Sequence, residues 1–209
     1  MSRLEELNER YREHHRARRG REFVFGGEER AQLFLELVGG PGKDVLDLGC
    51  RYGALTQAYL EGNRVTGVDV DREALAEAAK LGVETRWADL DEPFPFEAGR
   101  FDVVVAGELL EHVRDPEHIL AEARRVLRPG GRLVGSVPNA YRLKNRLRFA
   151  AGRPPESDPT HLHMFRPDDV QALLRDFADI QLRLISSRFL RVHARLFAND
   201  IVFAGLKPR

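Results

Sequence analysis

The stretch GELLEH, residues 107–112, carries groups able to move a proton or hold a cation. Glu108, Glu111 and His112 stand at i, i+3 and i+4, a spacing that brings side chains to one face of a helical turn. Two more imidazoles, His161 and His163, follow in THLHMF. Glu108, Glu111, His112 and His163 together make a donor set for a divalent cation such as Mg²⁺, with His161 as an alternative fourth ligand. Such a cation would lower the pKa of an acceptor hydroxyl and fix it in place. Without a metal, His112 is the candidate general base. The plainer alternative makes the two glutamates helix-start acids favoured by the macrodipole and His112 a packed side chain.

A second constellation lies upstream, in VLDLGCRYGALT, residues 45–56. It reads as a buried strand, a glycine turn and a helix start. Gly49 permits the tight turn and Gly53 the close approach of the helix, whose first amides would face a ligand. Asp47, Cys50 and Arg51 complete the loop. Asp69, in GVDVD, follows Gly49 at 20 residues, the separation at which an acidic side chain accepts hydrogen bonds from ribose hydroxyls. Val70 sits beside it. Asp89 and Leu90, in ADL, are placed to meet an adenine amino group and its apolar face. A dinucleotide dehydrogenase would need G-x-G-x-x-G against a pyrophosphate, and here Arg51 replaces the middle glycine. Its guanidinium either meets a ligand carboxylate or points to solvent.

The elements that must position these groups follow from periodicity. Residues 44–49, 64–70, 83–88, 101–107 and 132–138 read as strands, several apolar enough to be buried on both faces. Helical patterns fall at 54–61, 72–81 and 116–127, the last closed by RPGG. Alternation of this kind predicts an α/β, doubly wound, mostly parallel sheet with right-handed crossovers. Ligands then bind beyond the carboxyl ends of the strands, which is where Gly49, Asp69, Asp89 and Gly107 fall. A helix at 167–177 and strands at 179–187 and 199–206 complete the pattern. The basic segment Arg142, Lys144, Arg146, Arg148, Arg153 is interleaved with Leu143, Leu147 and Phe149. It predicts an amphipathic helix in a lid insertion at 138–165. Residues 1–30 predict a helical cap on a domain spanning 31–209, with Leu4, Leu7 and Tyr11 as its apolar stripe.

The order VLDLGCxxG, GVDVD, ADL, FDVVVAGELLEH and RVLRPGGRLVGSVPN over residues 40–140 resembles the class I S-adenosylmethionine-dependent methyltransferases. The resemblance implies a Rossmann-like seven-stranded sheet whose last strand pair is antiparallel. It also implies that the Gly49–Gly53 loop receives the methionine half of S-adenosylmethionine, Asp69 the ribose, and Asp89 with Leu90 the adenine. ELLEH with HLHMF is similar to two metal-dependent branches, the ubiquinone-biosynthesis O-methyltransferases and the small-RNA 3′-end 2′-O-methyltransferases. The segment from VPNAYRLKNR to THLHMF resembles bacterial methyltransferases that tailor glycans and polyketides, and the methionine-biosynthesis partner proteins.

Composition bounds what these groups can serve. With 33 basic and 33 acidic residues the chain has no net charge, so no global field favours nucleic acid or an anionic membrane. One cysteine, Cys50, excludes an internal disulfide framework. A charged N-terminus without an apolar core and the absence of any long apolar run predict a cytoplasmic protein, without membrane attachment, acting as monomer or homodimer. The expected activity is methyl transfer to an oxygen or nitrogen of a small, sugar-like or phenolic acceptor. A cofactor-binding regulatory subunit is the alternative, and an RNA 2′-O-methyltransferase ranks behind both.

Overall fold

The computed structural model describes residues 2–18, 27–155, 158–185 and 190–209. Two helices come first, α1 (Arg3–Arg18) and α2 (Gly27–Val38). Then follow β1 (Asp44–Leu48), α3 (Gln57–Leu60), β2 (Arg64–Asp69), α4 (Arg72–Lys80), β3 (Glu84–Trp87) and β4 (Phe101–Gly107). The remainder is α5 (Pro116–Val126), β5 (Leu127–Pro138), α6 (Leu143–Ala150), α7 (Pro167–Leu173), β6 (Ala178–Ile185), α8 (Leu190–Phe197) and β7 (Asp200–Leu206).

The seven strands form one sheet in the order β3-β2-β1-β4-β5-β7-β6. Pairing is parallel from β3 through β5, and β7 runs antiparallel to both of its neighbours. The expected antiparallel pair is therefore present, and β7 alone is the reversed strand. Chain order switches direction between β1 and β4, which opens the crevice that α/β sheets use for ligands.

Side-chain alternation builds a core on each face of the sheet. Val45, Val65, Val103, Val105, Val134 and Val202 pack with Phe34, Leu37 and Val38 of α2. Their neighbours Leu46, Leu48, Val104, Leu133 and Phe203 pack with α5 and α7. Full burial of such side chains contributes about 1.5–3 kcal/mol each, so the strand ends that carry the site rest on a rigid base. Gly135 is required at the crossing of β4, β5 and β7. A Cβ there would lie 2.3 Å from the Phe203 ring and 2.7 Å from the Ala106 carbonyl.

Helix starts follow local chemistry. The Asp71 carboxylate accepts from the amides of Glu73 and Ala74 at the head of α4, and Asp115 does the same for Glu117 and His118 ahead of Pro116 in α5. Two helices are shorter than predicted. The 54–61 helix contracts to α3, since Gly53 and Gly62 at either end take positive φ and residues 51–56 are wound as turns. The 167–177 helix ends at Leu173. After Val126 the chain enters β5 at once, with Leu127 already paired to Phe101, five residues before the expected 132. The expected boundary between cap and domain at residue 30 falls inside α2, which belongs to the core. Within the expected insertion, Asn139 bridges Phe165 and clasps the base. Residues 19–26 of the cap and 156–157 of the insertion lie outside the described residues.

Candidate active site at the carboxyl edge of the sheet

A cleft opens above β1, β2 and β4. It is lined by the loop after β1, by Asp69, Val70, Asp89 and Leu90, by Gly107, Glu108 and His112, and by Leu7, Arg10 and Tyr11 of α1. Gly49 and Cys50 both donate their amides to the Val68 carbonyl, at 2.8 and 3.2 Å, stitching the loop to β2. Arg51 takes φ +48°, the left-handed region that glycine adopts most easily. Its amide donates to Asp69 Oδ2 at 3.0 Å, and the other Asp69 oxygen accepts from Asp71 at 2.8 Å. The Arg51 side chain is half-buried and lines the cleft, with its guanidinium carbon 5.7 Å from the Tyr52 ring centre. It is thus not turned out to solvent.

Asp47 lies deeper. Its Oδ2 accepts from Thr56 Oγ1 at 2.6 Å and from Tyr59 Oη at 2.7 Å. Burial pushes its carboxyl up to about 6, against these two hydrogen bonds. Burial, with the nearby Asp47 and Asp69 charges, likewise raises the Cys50 thiol, so Cys50 is packing rather than a nucleophile. At the far end of the cleft, Asp89 Oδ1 accepts from the Asp91 amide at 3.0 Å. Arg3 of α1 reaches Asp89, Asp91 and Glu92 at 3.1, 2.7 and 3.2 Å. Asn8 of α1 also accepts from the Arg72 amide, at the head of α4.

The turn after β4 differs from the expected helical turn. Residues 108–114 form no helix, and Glu108 takes φ +53°, which sends it away from Glu111 and His112. Its Oε1 accepts from Ser136 Oγ at 3.1 Å and pairs with Arg30 Nη1 at 3.3 Å. Arg30, 1 % exposed, also faces Asp200, 0 % exposed, at 3.2 Å. Neither Arg30 nor Asp200 stood out in the sequence. The available signal was a charged residue on the apolar stripe Arg30, Phe34, Leu37 of α2.

His112 stays with Glu111, whose Oε1 is 4.0 Å from His112 Nε2, and with His161, whose ring meets the His112 ring edge-on at 4.8 Å. Donor atoms of Glu111, His112 and His161 all lie within 4.8 Å of one another. Among the described residues this is the grouping that could hold a divalent cation, and it differs from the expected set. Glu108 has left it, and His163 stacks on Phe165 with Nε2 3.0 Å from the Val113 carbonyl. His112 Nδ1 faces Thr160, 3.1 Å from Oγ1 and 3.4 Å from the carbonyl. The 160–163 segment is tied down by the amides of Leu162 and His163 on the Glu111 carbonyl, at 2.7 and 3.3 Å.

Comparison with known proteins agrees with the fold. Residues 46–135 match the methyltransferase domain family. An uncharacterized transposon protein of Streptomyces fradiae is 41% identical over 108 residues, 47% of this chain and 31% of that protein. A ubiquinone biosynthesis O-methyltransferase of Hahella chejuensis is 38% identical over 119 residues, 54% of this chain and 47% of the enzyme. The chain thus spans about half or less of these curated relatives. Among solved structures, a SAM-dependent methyltransferase from Archaeoglobus fulgidus superimposes with TM-score 0.71 at 19% identity, covering 95% of this chain and 99% of that one. A possible histamine N-methyltransferase from Thermotoga maritima gives 0.71 at 17%, covering 98% and 99%. A [4+2]-cyclase gives 0.67 at 22%, covering 86% and 81%, so the fold by itself does not fix the reaction. No helix among the described residues is long and apolar enough to cross a membrane. Residues 46–135 thus match the methyltransferase domain family, and the chain as a whole shares the fold of these S-adenosylmethionine-dependent methyltransferase structures.

Proposed function

We propose that this chain transfers the methyl group of S-adenosylmethionine to an oxygen or nitrogen of a small acceptor. The observation that carries the reading is His112 on the wall of the cleft that also holds Asp69, Asp89 and the glycine loop. The residues fit the cofactor. Asp47 and Arg51 offer opposite charges to a zwitterionic amino acid, Asp69 offers oxygens to a diol, and Asp89 offers an acceptor to an exocyclic amine beside the buried Leu90. The carboxylate oxygens of Asp69 already accept loop amides, and each retains capacity for a second hydrogen bond. Val70 and Gly107 line the space between.

The bound cofactor supplies an electrophilic methyl on sulfur. What remains for the protein is to align a nucleophile and take its proton. His112 is placed to accept that proton, and the buried Glu111 carboxylate nearby favours the imidazolium that results. Glu108, locked by Ser136 and Arg30, shapes the acceptor wall. The relatives named as ubiquinone biosynthesis O-methyltransferases support a phenolic oxygen as acceptor, and α1 with the 138–165 insertion would cover it.

Calorimetric titration of S-adenosylmethionine and S-adenosylhomocysteine into chelator-treated protein, with and without Mg²⁺, tests cofactor binding. Release of S-adenosylhomocysteine over an acceptor panel that includes 3,4-dihydroxybenzoate tests transfer. Turnover that falls at least about 100-fold in His112→Ala and Glu111→Gln, with cofactor affinity retained, is the expected result. Cofactor binding with no turnover on any acceptor would make the chain a regulatory subunit instead.

A further inference from the structure

We propose that Thr160 and Asp158 are positioning residues that fix which nitrogen of His112 faces the acceptor. Thr160 Oγ1 lies 2.7 Å from Asp158 Oδ1, and the Thr160 amide donates to the same oxygen at 2.9 Å. The same hydroxyl lies 3.1 Å from His112 Nδ1, and one proton cannot serve both contacts. The carboxylate contact is shorter and charge-assisted, so the hydroxyl proton goes to Asp158. Thr160 Oγ1 must then accept from His112. The Thr160 carbonyl, 3.4 Å from Nδ1, can only accept. Both oxygens facing Nδ1 therefore require a proton there, which puts the lone pair of the neutral ring on Nε2.

The competing influence is Glu111, whose Oε1 is 4.0 Å from Nε2, beyond hydrogen-bond reach. The rings of His161 and Tyr11 also lie against His112, at 4.8 and 6.5 Å between ring centres. Asp158 thus acts on His112 through a neutral hydroxyl, holding the ring by its back edge so that Nε2 meets the acceptor proton. Thr160 is 9 % exposed, which shields the link from water. This inference rests on His112 as the acceptor base, but its test does not.

Imidazole ¹⁵N spectra of the cofactor-free chain at about pH 8, with the His112 signals assigned by their loss in His112→Gln, report the tautomer directly. The expected pattern is a protonated Nδ1 and a pyridine-type Nε2. Thr160→Val should raise the Nε2–H fraction at least about threefold, while Thr160→Ser, which keeps the hydroxyl, restores the native pattern. An Nε2–H ring in the native chain, or a Thr160→Val spectrum identical to it, would overturn the proposal. If Thr160→Val does not fold, Asp158→Asn reads the same coupling and should shift the ring in the same direction. Undiminished turnover in His112→Ala would instead remove the base reading, while the spectra still decide the tautomer.

Discussion

Replacing Asp47 by Asn should separate what the cleft does for the cofactor from what it does for the fold. The Asp47 carboxyl titrates at about 6 in the folded chain against an ordinary 3.8, because it is buried. The folded state therefore holds this proton more tightly than the unfolded one. That contribution to stability is complete below pH 3.8 and is lost as pH rises to about 6. At 1.36 kcal/mol per pH unit, the anion costs the cofactor-free protein about 3 kcal/mol at neutral pH. Asn keeps the shape and an oxygen for Thr56 and Tyr59, yet cannot ionise. Urea unfolding at pH 4.5, 6 and 8 should show the wild type losing stability over this range and Asp47→Asn losing much less. At pH 8 the variant should be the more stable by up to about 3 kcal/mol, reduced by its weaker neutral hydrogen bonds. Cofactor affinity should move the other way, falling about tenfold or more as the charge opposite an amino group is lost. An Asp47→Asn protein that is less stable than wild type at pH 8, or that keeps the wild-type pH slope, would refute this account.

Two further substitutions probe the loop and the cap. Arg51→Gly relieves a left-handed backbone at φ +48° and should raise the urea midpoint by the equivalent of about 1 kcal/mol, with weaker cofactor binding measured by calorimetry if its guanidinium meets the methionine carboxylate. Arg3→Ala removes the contacts from α1 to Asp89, Asp91 and Glu92. Arg3 is partly exposed, so the loss should be no more than about 1 kcal/mol. Stopped-flow fluorescence should then show cofactor entering and leaving up to about fivefold faster, and unchanged rates would mean that α1 does not cover the cleft.

The centre of the sheet was legible because β1, β2 and β4 are short apolar runs buried on both faces, and a run such as FDVVVAG has few other places to go. The position of Asp69 was legible for the same reason, as the last residue of β2, whereas Asp89 follows the polar, half-exposed β3 and was found through the ADL motif. GELLEH was misread because i, i+3 and i+4 spacing means a shared face only if the backbone is helical. Leu109, Leu110 and Val113 fit a helix as well as they fit a turn. What decides is the left-handed Glu108, drawn toward Arg30 and Ser136, and those partners come from segments far away in sequence. Which of His161 and His163 joins His112 depends on how the 160–163 segment docks on the Glu111 carbonyl, again a tertiary fact. Arg51 was visible as an odd residue, but its backbone conformation was not.

The reversal of β7 has a consequence for how the site comes into being during synthesis. In a wholly parallel sheet every strand begins at the end remote from the ligand. Because β7 runs the other way, its first residue, Asp200, lies beside Pro138 at the carboxyl edge, where it meets Arg30. Arg30 emerges from the ribosome long before Asp200. Until β7 joins β5, the β5 edge is open and Arg30 has Glu108 but not Asp200 beside it. The Glu108–Arg30–Asp200 cluster can thus be completed only after nearly all of the sheet has been made. A nascent chain carrying β1 to β4 already has the glycine loop, Asp69 and Asp89, so that side of the cleft can form before the side that needs β7.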